Sequence, residues 1–150
     1  MGSRLYSIGV LIVILIGCKS QFNTYYTPSV YCELMTPDEK VVLRSAMNYS
    51  VNKRLSIDTK KDKNNVINGM YEKLFFNGLR QNNCELNQLI FDPNPRVNYS
   101  QFLNQFWNDN NRENNFHKVL RQNIKSNSLI YVVEFDINKL KDYLNENNIK

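Results

Sequence analysis

Residues 129–135, Leu-Ile-Tyr-Val-Val-Glu-Phe, constrain the fold more than any other stretch of this chain. All but Glu134 are β-branched, aromatic or aliphatic, and they are apolar on both faces of an extended strand. Such a run belongs to a buried strand. A lone strand would leave its N–H and C=O groups without partners, so a sheet must form around it. Residues 54–57 and 89–91 are the expected partners. Asp136 follows as the cap of a last helix, which carries Ile137, Leu140 and Leu144 on its inner face.

Helical spacing organises most of the other apolar residues. Thr36, Pro37, Asp38 and Glu39 form a helix start, with Thr as cap, Pro in the first turn and acids behind it. Val42, Leu43, Ala46, Met47 and Ser50 continue one face, so a helix is predicted over 36–50. A second helix is predicted over 62–77, with the stripe Val66, Ile67, Met70, Tyr71, Leu74 and Phe75 and with Gly78 as its C-terminal cap. Residues 81–98 read as loop, turned by Asp92-Pro93-Asn94-Pro95. A helix then starts near Asn98 or Ser100 and carries Phe102, Leu103, Phe106 and Trp107. The polar run 108–115 interrupts that stripe, which resumes at Phe116, Val119, Leu120 and Ile124 as a further helix. The expected fold is a helix-rich α+β domain, about five helices with a small sheet containing strand 129–135. Phe102, Phe106, Trp107 and Phe116 are assigned to its core, because aromatics at helical spacing supply much of the buried area of a small domain.

The N-terminus bears on location. Arg4 precedes an apolar run, residues 8–16, interrupted only by Gly9. That run is shorter than the about 20 residues a membrane-crossing helix needs, and it has the length of a signal-peptide core. It ends in Leu15, Ile16, Gly17 and Cys18. This order resembles the lipobox of bacterial lipoproteins. The resemblance covers residues 1–18 alone, and no family is recognised for the rest. It implies cleavage before Cys18, a diacylglycerol on the Cys18 thiol and an acyl chain such as palmitate on the new amine. N-myristoylation at Gly2 fails, because Tyr6 stands where Ser or Thr is required.

The implied organisation is a signal peptide over 1–17, a lipidated tether over 18–35 and a single globular domain over 36–150. Seventeen residues of coil span about 20–25 Å, which holds the domain close to its membrane. No Asp follows Cys18, and no acidic run lies beyond it. By resemblance to lipoprotein sorting signals, both absences favour the periplasmic face of the outer membrane. The formal charge is +5, one unit less without Arg4, a mild excess that suits solubility. Lys60, Lys61 and Lys63 alternate with Asp58 and Asp62 and lack interleaved aromatics. They read as a solvated connector between helices, so no nucleic-acid partner is expected.

The chemical inventory is short. His117 is the only histidine, there is no Cys-x-x-Cys, and neither G-x-S-x-G nor G-x-x-x-x-G-K-[ST] occurs. No metal or cofactor site and no catalytic set are expected. One nucleophile pairing is conceivable, Cys84 with His117 oriented by Asp109 or Glu113. It competes with a second use of the thiol. Once Cys18 is acylated, Cys32 and Cys84 remain, an even pair in an oxidising compartment, and a disulfide is predicted between them. Glu134 and Asp136 share a strand face, but Asp136 is better used as a helix cap. The reading is a membrane-tethered envelope lipoprotein that binds an envelope protein partner. A tethered inhibitor or immunity protein against a toxin or hydrolase is the alternative, and a Cys/His hydrolase ranks behind both.

Overall fold

A computed structural model describes residues 29–48, 59–81, 84–125 and 128–150. In chain order the elements are β1 (Ser29–Met35), β2 (Lys40–Asn48), α1 (Thr59–Glu72) running into a π-helical turn (Lys73–Asn77), β3 (Leu79–Gln81), β4 (Cys84–Leu86), α2 (Pro95–Asn98), α3 (Ser100–Asn108), α4 (Arg112–Asn115), β5 (His117–Lys125), β6 (Ser128–Asp136) and α5 (Ile137–Glu146). The fold is α+β, with a four-stranded antiparallel sheet in the order β1-β2-β6-β5 and a separate β3–β4 pair.

The strand expected at 129–135 is β6, and it is paired on both sides. Its partners are β2, from Lys40 opposite Asp136 to Asn48 opposite Ser128, and β5, from His117 opposite Phe135 to Lys125 opposite Ser128. Neither is a partner expected from the sequence. Residues 54–57 lie outside the described residues. Residues 89–91 form no strand. The Leu89 and Ile90 amides instead donate to the Leu74 and Phe75 carbonyls at 3.0 and 2.9 Å. Those carbonyls belong to the π-helical turn, where the longer hydrogen-bond step leaves acceptors open to an outside segment.

The helix expected over 36–50 is corrected to a hairpin turn and a strand. The Glu39 amide donates to the Thr36 carbonyl at 3.1 Å, the Thr36 amide donates to the Lys40 carbonyl at 2.9 Å, and Glu39 takes φ 58°. Pro37 and Asp38 thus sit inside a tight turn, a position Pro favours as strongly as a helix start. Along β2, Val41, Leu43, Ser45 and Met47 face the helices, and Lys40, Val42, Arg44 and Ala46 share the other face with Ile130, Val132 and Glu134. The last seven residues of the expected tether are also corrected. Ser29–Met35 is β1, hydrogen-bonded to β2 along its length with one bulge between Cys32 and Leu34. The helix expected from Phe116 onward is β5, and Phe116 itself ends α4.

Three other elements fall where the sequence places them. The helix predicted at 62–77 is α1 with its π-helical turn, and the helix predicted from Ser100 is α3. Asp136 caps α5, its Oδ1 accepting from the Lys139 amide at 3.0 Å. Helices α1, α3 and α5 pack on one face of the sheet. Val66, Met70, Leu74, Phe106, Ile137 and Leu140 meet Val41, Leu43, Leu129, Val133 and Phe135 in a single core.

A disulfide joins Cys32 on β1 to Cys84 on β4, with 6.2 Å between their Cα atoms. Beside it, the Gln81 side chain accepts from the Cys32 amide at 2.5 Å and donates to the Val30 carbonyl at 3.2 Å. An amide side chain thereby occupies backbone groups that an edge strand otherwise leaves open. The covalent loop spans 52 residues, for which chain entropy gives up to about 4 kcal/mol. Reduction, or Cys32→Ala with Cys84→Ala, is therefore expected to lower unfolding free energy by up to that amount in urea titrations. Gly78 stands at φ 67° and ψ −173°, and a Cβ there would lie 2.4 Å from the Leu86 carbonyl oxygen. Gly78→Ala is expected to cost at least about 2 kcal/mol in the same assay.

Candidate functional site

The polar chemistry of the interior gathers where α1, α4 and the first residue of β5 meet. Tyr71 is on the last full turn of α1, and its ring is fully buried. It packs edge-on against Phe135 and Phe106, with centroids at 4.9 and 5.0 Å. Its hydroxyl lies 2.7 Å from His117 Nδ1. His117 is 8% exposed and starts β5, within the stretch where the sequence predicts a helix. Its second ring nitrogen, Nε2, is buried without a hydrogen-bond partner among the described residues.

Arg112 closes the cluster. Its Nε donates to the Asp109 carbonyl at 3.0 Å, one terminal nitrogen to Asn68 Oδ1 at 2.8 Å and the other to the Trp107 carbonyl at 3.1 Å. The guanidinium also lies over the rings of Phe106, Tyr71 and Trp107, at 5.3, 5.5 and 5.9 Å. Rings supply their negative faces and carbonyls their lone pairs, so the cation is compensated although no carboxylate among the described residues touches it.

Burial sets the ionisation of all three groups. It is the main reason the Tyr71 phenol is pushed well above its ordinary range, an effect Arg112 partly offsets. Burial likewise lowers the Arg112 guanidinium below its usual value. The His117 imidazole is brought down to about 4, first by desolvation and then by the Arg112 and Lys63 charges, with Glu113 pulling the other way. At neutral pH the pair is neutral tyrosine on neutral histidine beside a positive arginine.

Several residues singled out in the sequence do not converge. The Cys84–His117 pairing is not formed, because Cys84 is bonded to Cys32 and His117 Nδ1 is occupied by Tyr71. A disulfide sulfur carries no thiolate. Neither expected orienting acid meets the imidazole. Asp109 Oδ1 accepts from the Asn111 amide at 2.8 Å, and Glu113 forms an ion pair with Lys63 at 2.6 Å. Lys63 and Asp62 belong to α1, so the expected connector is shorter than the sequence suggests. Asp58 lies outside the described residues, as do the side chains of Lys60 and Lys61 and the whole of Cys18. Glu134 lies opposite Lys118 and Val42 on the sheet face away from the helices, while Asp136 is used as the α5 cap. Phe106 and Phe116 are buried, and Phe102 and Trp107 pack against the same core. Among the described residues, no three His, Cys, Asp or Glu side chains gather as a metal site.

Asn68, Tyr71 and Arg112 are the members of the cluster that sequence reasoning did not assign a polar role. Helical spacing puts Tyr71 in the core as an apolar residue, and Arg112 sits inside a polar run with no periodicity. No protein-family model, no curated protein and no solved structure matches the chain.

Removing the guanidinium would strand three acceptors and leave a cavity between aromatic rings. Arg112→Ala is expected to destabilise the fold by about 3 kcal/mol. Arg112→Lys should recover less than half of that, since one ammonium group cannot match the guanidinium fork. Urea unfolding followed by Trp107 fluorescence reads both values.

Proposed function

We propose that this chain is a lipid-anchored lipoprotein of the bacterial envelope that acts by binding another envelope component. The observation that carries the reading is the leader, Arg4 followed by an apolar core and then Leu15-Ile16-Gly17-Cys18. The Cys32–Cys84 bond supports an extracytoplasmic location, because disulfides persist in oxidising compartments and are rare where thiols are kept reduced. No helix among the described residues is long and apolar enough to cross a membrane. A binding role is supported by how the reactive side chains are used. Cys84 is spent on the disulfide, and His117 and Arg112 are held inside the core. The absence of an Asp after Cys18 favours the outer membrane, on its periplasmic side.

Intact mass of the membrane-extracted protein tests the anchor. The expected species begins at Cys18 and carries acyl chains, and Cys18→Ala is expected to move the domain into the soluble fraction. A Cys18→Ala protein that stays equally membrane-bound, with the wild-type mass lacking any acyl addition, would remove the basis of the proposal.

A further inference from the structure

The Tyr71–His117 contact sits at a corner of the fold that is built to separate. Strand β5 is at the end of the sheet order, with β6 as its neighbour, and a bulge between Val119 and Arg121 interrupts that pairing. The stretch from His117 to Val119 is therefore held to β6 by a short length of ladder. On its other side it continues into α4, where the Phe116 amide donates to the Arg112 carbonyl at 2.9 Å. The Asp136 amide donates to the Phe116 carbonyl at 3.0 Å and closes the corner.

The slot around the imidazole accepts one charge state. Facing it are Tyr71 and Lys63 from α1, Arg112 and Glu113 from α4, and the Phe135 ring of β6 at 5.6 Å. Of the charged groups on β6, Glu134 belongs to the opposite sheet face and Asp136 is engaged by the Lys139 amide. The Glu113 carboxylate is already paired with Lys63. A second proton would make both ring nitrogens donors. Nδ1–H would point at Tyr71, whose own hydroxyl proton then loses its acceptor. Nε2–H would gain at best the Arg112 carbonyl, already taken by the Phe116 amide, in a site that already holds the Arg112 cation. We propose that His117 is an acid-sensitive latch, whose protonation releases the α4–β5 corner while β1, β2 and β6 remain paired.

The direction follows from linkage. The closed corner holds histidine neutral, with its folded value lowered to about 4, whereas an opened corner lets it protonate near its ordinary 6.5. Closure is thus fully stabilised above about pH 6.5 and weakens as pH falls toward 4. Opening should rise about tenfold per pH unit across that window and level off below it.

Hydrogen exchange of the full-length chain, corrected for intrinsic rates, tests this from pH 7.5 to 4. Protection of the Phe116 and Asp136 amides is expected to fall about tenfold per unit below pH 6.5 and to stay below that of the amides between β2 and β6 at every pH, because the corner opens without the rest of the sheet. His117→Gln and His117→Phe should abolish that slope. If both variants fail to fold, the wild-type His117 ring signal decides, and it should titrate well below 6.5 together with the corner amides. Flat protection at Phe116, corner amides no less protected than those between β2 and β6, or a slope that survives in a folded His117 variant would each overturn the proposal.

Discussion

The backbone of β6 is the constraint from which the rest of the domain follows. Leu129, Tyr131, Val133 and Phe135 are buried on the helix side and Val132 on the other, while Ile130 and Glu134 stay half-exposed, and a strand buried to that extent needs partners for both rows of its peptide groups. Strands β2 and β5 supply them antiparallel over the full length of β6. That choice fixes which residues meet the helices. Leu129, Tyr131, Val133 and Phe135 project to one face, and the core of α1, α3 and α5 assembles against them. Asp136 then turns the chain directly into α5, with the Ile137 amide donating to the Glu39 carbonyl at 3.0 Å. The hairpin turn and the last helix are thereby locked to the same end of the sheet.

At that end the core becomes polar without becoming wet. A guanidinium taken out of water loses several kcal/mol of hydration unless its donors are used. Arg112 uses them on Asn68 and on two carbonyls that close the α3–α4 connection, those of Trp107 and Asp109. The arginine therefore acts as the organiser of a segment too short to hold itself as a helix. With four residues α4 is far below the length at which a helix is stable on its own, so its shape comes from this contact and from the ion pair of Glu113 with Lys63. Tyr71 supplies the neighbouring surface, an aromatic face for the cation and a hydroxyl for His117.

Where the sequence could be read and where it misled have physical reasons. Strand β6, helix α1 with its Gly78 end, helix α3 and the Asp136 cap were legible because each carries a period or a cap of only one meaning. The segment 36–48 was not, because Thr-Pro-Asp opens a helix or a turn with equal ease, and Val42, Leu43, Ala46 and Met47 satisfy a helical period while Val41, Leu43, Ser45 and Met47 satisfy a strand. In β5 the misleading feature is the bulge. His117 and Val119 share a face with Gln122 and Ile124 across it, so strict alternation is lost, while Phe116 before the strand, Val119, Leu120 in the bulge and Ile124 fall at helical spacing without sharing a strand face. The Cys32–Cys84 bond was reached by counting thiols, which needs no geometry. The Arg112 cluster was illegible because its donors meet backbone carbonyls, and any residue type supplies those.

The position of the disulfide gains meaning on the reading that Cys18 bears the lipid. A tension on the tether would then enter the domain at Ser29, the start of β1, which pairs with β2 and with no other strand of its sheet. Edge strands pulled from one end lose their hydrogen bonds one at a time, the least resistant way to open a sheet. Cys32 lies three residues inward, where the first pairs have been passed and most of the strand still lies ahead. From that point the tension passes through a covalent bond to β4, whose Leu86 lies opposite Leu79, the residue after Gly78 at the end of α1. The neighbouring Gln81 bonds to Val30 and Cys32 hold the stretch between the bridge and the tether. Cys84 is itself buried in the core and Cys32 packs against it, and on the same reading the bridge also stands where pull from the anchor would peel the sheet apart.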